Sequence, residues 1–530
     1  MTRKLLSTFL SLTLFATIAS ACAGGKQEGA SSASTKPSSA AAADYGDTGG
    51  LKLPLVDEPV TLNWMLVSDN PDLSNKLIVK EIEKRTGIKL NIQAYSTANY
   101  KDKLKVVMAS GKLPDVFHGL TPAEANKLGS QGALTPINSH LDKLPNFKSL
   151  YVDNKDSSWV MKSWSDDKDN LYTWPIYNIN RDVNHGFLYR KDIFDKLGIP
   201  EWNTTEEFYQ ALKKLKEAYP TSYPYASKTK DYIFRDWAPG WGIGGASYPA
   251  AYDENAKTWK LAFIQPEYKQ MLDFMKKLYN EGLLDPEFVT DTDASWTAKM
   301  TTNNKSFVTF DWIGRLDLFH NQVKSQNPDY NLRYGNPVGP TGKIKQLSKI
   351  DNYGIVVSNN KNKEVALKLL DYLSSPSGAA LVTMGVEGET FKMEGGKAFY
   401  PELKDVPNVD IGVLKDRYGL WLEGMYVRAD SRSVYYNFTE KEQEAQDKMV
   451  KNNKIDALDP VLKFTDPETK KIADVLTSLQ KSANEFSTKY ILNKSYGDAQ
   501  WNEWLQTAEK MGASAYIEAY NNAQKRFDSK

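Results

Sequence analysis

A chain of 530 residues exceeds what one apolar core can serve, so two or three domains are expected. Its 67 basic residues meet 66 acidic ones, and with a formal charge of +1 nothing suggests nucleic acid or another polyanion as a partner. The single cysteine excludes an internal disulfide, while 13 Trp and 29 Tyr suit carbohydrate binding as well as ordinary core packing.

The first element is a secretion signal. Arg3 and Lys4 supply its charge, and Leu5 to Ile18 form an apolar run too short for a comfortable membrane span. It ends in Ala19-Ser20-Ala21-Cys22, which resembles a bacterial lipobox; residues 1–21 would be removed and Cys22 lipid-modified. A plain signal peptide cut near Ala21 is the other reading. Residues 22–57 read as a flexible tether, because Ala, Ser, Gly, Lys and Thr dominate most of it. A coil of that kind reaches on the order of 30 Å, enough to hold a folded body off a membrane. From residue 51 onward no run is long and apolar enough to cross a bilayer.

Val60, Leu62, Trp64 and Leu66 alternate as on a strand. A helix is expected over 73–86 with Gly87 as its stop, and Ile88 to Ile92 alternate again, giving strand–helix–strand. A second helix over 100–109 ends at Gly111 and leads into Leu113–Phe117. Ligands in open α/β sheets sit beyond the carboxyl ends of strands, which marks Asp115, His118 and Gly119. Thr121 with Glu124, and later Thr204 with Glu207, read as capping boxes that start helices.

Leu171–Ile176 and Gly186–Arg190 read as strands joined by a polar segment, and a short helix over 191–197 stops at Gly198. Phe234 to Tyr252 is too rich in Gly and Pro for a regular helix or a long strand, and it brings Trp237 and Trp241 together. Residues 265–281 form an amphipathic helix. Asp291-Thr-Asp-Ala-Ser295 opens like a calcium loop but lacks the sixth-position Gly and the closing Glu, so it reads as a helix cap or a solvated loop.

Several blocks resemble the extracellular solute-binding proteins of family 1, in their large lipoprotein form. They are ASGKLPDVF (109–117), GFLYRKDIFDKLGI (186–199), KSFVTFDWIGR (305–315), NPVGPTGK (336–343), GVEGETF (385–391) with Gly395-Gly-Lys397, and the Trp501–Arg526 helical hairpin. The resemblance implies an α/β, two-lobed periplasmic-binding-protein-like fold. Each lobe would be a mostly parallel sheet flanked by helices, with a ligand cleft between lobes and a helical C-terminal extension. Lobe 1 is expected over 58–178 and 312–363, and lobe 2 over 179–311 and 364–530. It further implies that Tyr189 faces the cleft and that Trp312 packs on a pyranose ring, with Arg315 and Asp115 nearby. His118, Trp241, Trp421, Arg428 and Tyr435 are looser candidates, and core packing is the competing reading for the large aromatics. Relatives of this form carry an Asp- and Asn-rich calcium loop after the helix that Thr204 starts; here 218–225 holds no carboxylate, so no metal and no cofactor are expected.

The function so implied is capture of an oligosaccharide and its delivery to the permease subunits of an ABC importer. The protein would be a monomer, lipid-anchored on the outer face of a bacterial cytoplasmic membrane. Two other readings stay open: a surface-anchored glycoside hydrolase or lyase, and a binder of a non-sugar solute such as peptide. The chain offers four His and neither a G-x-S-x-G nor an H-E-x-x-H pattern. Arg181, Arg190, Arg235, Arg315, Arg428 and Arg432 could grip uronate carboxylates or serve ordinary structural ends, so the glycan could be neutral or acidic.

Overall fold

Alternation along β1 (Val60–Val67) makes it a two-faced central strand: Leu62, Trp64 and Leu66 enter one apolar core, Met65 and Val67 the other. The structure is a computed structural model that describes residues 44–529 apart from 71, 229–231 and 407. The signal segment, Cys22 and the tether up to residue 43 lie outside the described residues. The rest of the expected tether is fixed to the body. Leu51, Leu53, Leu55 and Val56 pack against the first core, and Leu55 N–H donates to Thr86 O at 2.9 Å.

β1 pairs in parallel with β2 (Ile88–Tyr95) and β3 (Val116–Leu120). β11 (Ile350–Val357) runs antiparallel between β3 and β4 (Thr173–Tyr177), so the sheet order is β2-β1-β3-β11-β4. Local signals hold here. Gly87 takes φ +75 and stops the preceding helix, and both capping boxes form at Thr121 and Thr204. That first helix begins at Leu77, four residues later than expected, behind a turn in which Lys76 N–H bonds Leu73 O.

A second sheet has β5 (His185–Arg190) at its centre, antiparallel to β8 (Val308–Trp312) and β9 (Leu332–Tyr334). Tyr225 extends it by single parallel bridges to Val308 and Leu284, so one antiparallel strand again lies among parallel ones. Phe187 and Tyr189 point into one core and Leu188 into the other. A hairpin of β6 (Ala250–Asp253) and β7 (Thr258–Leu261), and the short β10 (Ile344–Lys345), complete this half.

The chain is shared between the sheets differently from the expected boundaries. β8 does not lead back to the first sheet. It runs into the helix Arg315–Val323, whose Leu316 and Phe319 bury beside Trp296 and Tyr330, so 313–345 stays with the second sheet. The return comes at β11. The helix Lys363–Ser374 then covers the first sheet through Ala366, Leu367, Leu369 and Leu370, and Val427, Ala429 and Val434 join that core too. Its Asp371 carboxylate accepts from Phe147 N–H at 2.7 Å, which locks the helix in place. Apolar surface on a helix must be buried against whichever sheet offers a matching face, and that choice is a tertiary one. The helices Asp466–Leu492, Asp498–Lys510 and Ala513–Asp528 bury Leu479, Tyr490, Trp501, Trp504 and Tyr516 in the second core, as the C-terminal expectation holds.

Candidate functional site

Strand direction places the site. β4 ends at Tyr177, and β11 begins at Ile350 directly opposite it. Two of the connections to the second sheet, 178–184 and 346–349, therefore leave from one edge of the first sheet; a third follows Val434, since Ala445 and Met449 already lie in the second half. The first arrives at His185, where β5 starts and which pairs in register with Trp312 at the end of β8, and the second joins β11 to the end of β10 at Lys345. The carboxyl ends of β1, β3 and β4 share that edge, as do those of β8 and β9 in the second sheet, which is where α/β sheets hold ligands.

On the second sheet a cavity of about 400 Å³ opens beside these strand ends. His185, Lys228, Arg235, Asp236, Phe310 and Asp311 line it, and the connecting stretch 343–348 forms another wall. Asp311 is held by two cations: Arg315 Nε donates at 2.7 Å and Lys228 Nζ at 3.4 Å. Burial pushes the Asp236 carboxyl up to about 7, against the pull of Arg235. Burial by the cavity walls pushes the His185 imidazole down, although its edge is open to the cavity. Trp312, next to Asp311 in the chain and paired with His185 across the strands, is 41% exposed. Its indole lies over the following turn, and only a glycine fits beneath it: a Cβ at Gly314 would fall 2.3 Å from Trp312 Cη2.

The edge of the first sheet carries a second set of groups. His118 Nε2 lies 3.2 Å from Glu423 Oε1. Burial pushes the imidazole down to about 4, so it is neutral at physiological pH. Burial also raises the carboxyls of Glu423 and Asp351. Tyr353, exposed on β11, lies on the same edge.

The structure sorts the residues named from the sequence. Trp312 and Arg315 do not line the cavity but adjoin residues that do: Trp312 follows Asp311 and pairs with His185, and Arg315 holds Asp311 with its guanidinium over the Trp296 and Phe319 rings. Tyr189 does not face the cleft. It is 5% exposed and packs edge-on against Phe194 and Trp202, because its position on β5 points into the core face. Trp241 is equally buried, stacked on Trp237 at 5.8 Å. Asp115 is a buried structural acceptor for Asn63, Asn360 and Asn362. Arg428 donates to Ser374 O at 3.0 Å. Trp421 is buried between Tyr426 and Tyr435, with φ +56 and, among the described residues, no partner for Nε1. His118 reaches the edge only through Glu423.

Sequence reasoning missed His185, Lys228, Asp236 and Asp311. From the stretch 234–252 the cavity takes one of the two indoles, Trp237, together with Arg235 and Asp236, neighbours on the short helix Tyr232–Trp237. A second cavity of about 510 Å³ shares the wall 346–348 and is bounded by Trp159, Tyr177 and Phe527. Among the described residues no group of three or more His, Cys, Asp or Glu is placed to hold a metal ion. Asp291 instead bonds Lys299, whose ammonium lies 2.7 Å from Asp285, 2.6 Å from Glu287 and 2.9 Å from Asp291. The helix cap expected there is present, with Thr292 accepting from Ser295 N–H.

Comparison with known proteins bears on this arrangement. The model of the family described as bacterial extracellular solute-binding protein matches residues 68–380, more than half of the chain. Lipoprotein LipO of Bacillus subtilis (strain 168) is 25% identical over 342 residues, covering 60% of this chain and 64% of that relative, less than two thirds of its length. The polygalacturonan/rhamnogalacturonan-binding protein YtcQ of the same organism is 21% identical over 493 residues, covering 88% and 93%. Among solved structures, an HMO-binding, ABC-transporter-associated solute-binding protein from Bifidobacterium longum infantis superimposes with a TM-score of 0.68 at 18% identity. That match covers 89% of this chain and 99% of that one, and it shows the shared α/β fold.

Proposed function

The chain belongs to the bacterial extracellular solute-binding protein family, and from that premise we propose that it captures an oligosaccharide between its two sheets and hands it to an ABC importer. Proteins of this family bind their solutes without turning them over, so the hydrolase or lyase reading of the sequence falls. The observation that carries the sugar reading is Trp312, a large indole left open at a strand end beside a cavity of polar side chains. A pyranose has C–H-rich faces that pack on such a ring, and its hydroxyls take planar partners such as Asp236 and Asp311. The polygalacturonan/rhamnogalacturonan-binding relative of B. subtilis and the HMO-binding protein of B. longum infantis support the same class of ligand.

Closure about 178–184, 346–349 and the crossing after Val434 would bring Glu423, Asp351 and Tyr353 over a sugar resting on Trp312, and a permease would read the closed form as loaded. The lipobox-like end of the signal supports anchoring through Cys22 on the outer face of the membrane, and the lipoprotein relative agrees with it. The test is a thermal-shift screen of oligosaccharides and peptides, since a ligand that binds only the folded chain raises Tm. At least one oligosaccharide should raise it. A rise with peptides alone would overturn the sugar reading.

A further inference from the structure

Six arginines could have met an acidic sugar, and the structure leaves one of them available. Arg190 is buried on Asp192 and Asn303. Arg181 donates to Tyr435 O and Glu442. Arg315 is taken by Asp311, Arg428 by Ser374 O and Arg432 by Asp430. Arg235 is exposed, lines the cavity beside Trp312, and has no hydrogen-bond or ion-pair partner within reach among the described residues. The lysines of the same wall are already matched: Lys228 with Asp311 and Asp293, Lys343 with Asp456, Lys345 with Asp459.

We infer that Arg235 is the anchoring residue for a carboxylate on the bound glycan, so that the substrate class is a uronate-containing oligosaccharide. This rests on the oligosaccharide reading above and narrows it. A guanidinium offers two parallel N–H donors that match both oxygens of a carboxylate, a geometry a neutral hydroxyl uses only in part. An unpaired cation at the mouth of a cavity also attracts an anion by its net charge, which no neighbouring carboxylate already neutralises by an ion pair. The acidic groups nearby do not cancel it. Asp311 is engaged by Arg315 and Lys228. Asp236, pushed up to about 7 by burial and faced by Arg235, Lys228 and Asp311, carries its full charge only above neutral pH.

The experiment is calorimetric titration of the purified protein with a panel of uronate oligosaccharides, each paired with its carboxyl-reduced neutral form. The best ligand should be a uronate, its reduced form should bind at least tenfold more weakly, and Arg235→Gln should lose at least tenfold for the uronate while changing the neutral form little. In wild type the uronate affinity should fall from 50 to 500 mM salt and the neutral one should not; this arm needs no variant. A neutral glycan as best ligand, or an Arg235→Gln variant that binds the uronate as wild type does, overturns the inference and leaves the oligosaccharide reading standing. If no member of the panel binds, the oligosaccharide reading fails and the inference fails with it.

Discussion

Trp312→Ala separates a binding aromatic from a structural one. A tryptophan side chain offers roughly 250 Å², and at 41% exposure about 100 Å² of Trp312 is left for a ligand to cover. At about 25 cal/mol per Å² that area is worth about 2.5 kcal/mol, within the range found for single aromatic anchors in binding sites. At about 1.4 kcal/mol per tenfold, affinity should fall by about sixtyfold, less if the sugar covers only part of the ring. The unliganded fold should suffer less than it does from loss of a core aromatic, which costs about 3–5 kcal/mol, because much of this indole is already in water. Calorimetric titration of wild type and variant with the best ligand of the screen, beside their melting curves, gives both quantities. A large fall in Tm with unchanged affinity would place Trp312 among the structural side chains and remove the proposed stacking platform. Gly314→Ala supplies an independent check: a Cβ would collide with the indole, so affinity should fall while Trp312 itself remains.

Tyr189 is expected to behave in the opposite way. Tyr189→Ala should destabilise by about 3–5 kcal/mol, whereas Tyr189→Phe loses only a 3.4 Å contact to Glu201 and should leave ligand affinity within twofold; a tenfold affinity loss in the phenylalanine variant would return Tyr189 to the site. Chelator should not move Tm, and Lys299→Met should cost about 3–5 kcal/mol in denaturant unfolding, because Asp285 and Asp291 would be left buried without their cation. A Tm that drops with EDTA and returns with calcium would contradict this. Asp236 keeps its proton in the folded chain up to about pH 7 but releases it near 3.8 when unfolded. Its contribution to stability is therefore present at low pH and lost as pH rises through 7, and Asp236→Asn should gain Tm over wild type progressively from pH 4 to pH 8. A Tm difference between the two that does not change with pH would rule out the buried proton. Cys22→Ala should release the protein into the medium or leave uncleaved precursor, as fractionation and mass measurement would reveal; a processed, membrane-bound variant would end the lipid-anchor reading.

What was legible in the sequence was written within a few residues of where it acts. The alternation of Leu62, Trp64 and Leu66, the stop at Gly87 and the capping boxes at Thr121 and Thr204 all appear where the local pattern put them. So does Trp312 at the end of its strand, since strand length and the following Gly314 are local properties. The strand Tyr189 occupies was legible as well, but not the face on which it sits. In a two-sided buried strand both faces are apolar, and only the partners Phe194 and Trp202 decide which side chain is core.

The same distance in sequence hid the chemistry of the site. Asp115 is a structural acceptor because Asn360 and Asn362, more than two hundred residues away, fold against it. His118 is neutral because the surrounding core desolvates it. A lone arginine in a sequence looks the same whether a carboxylate waits for it or not. Burial, charge pairing and sheet membership are properties of the packed chain, and packing alone closed off five arginines and left Arg235 open to the cavity.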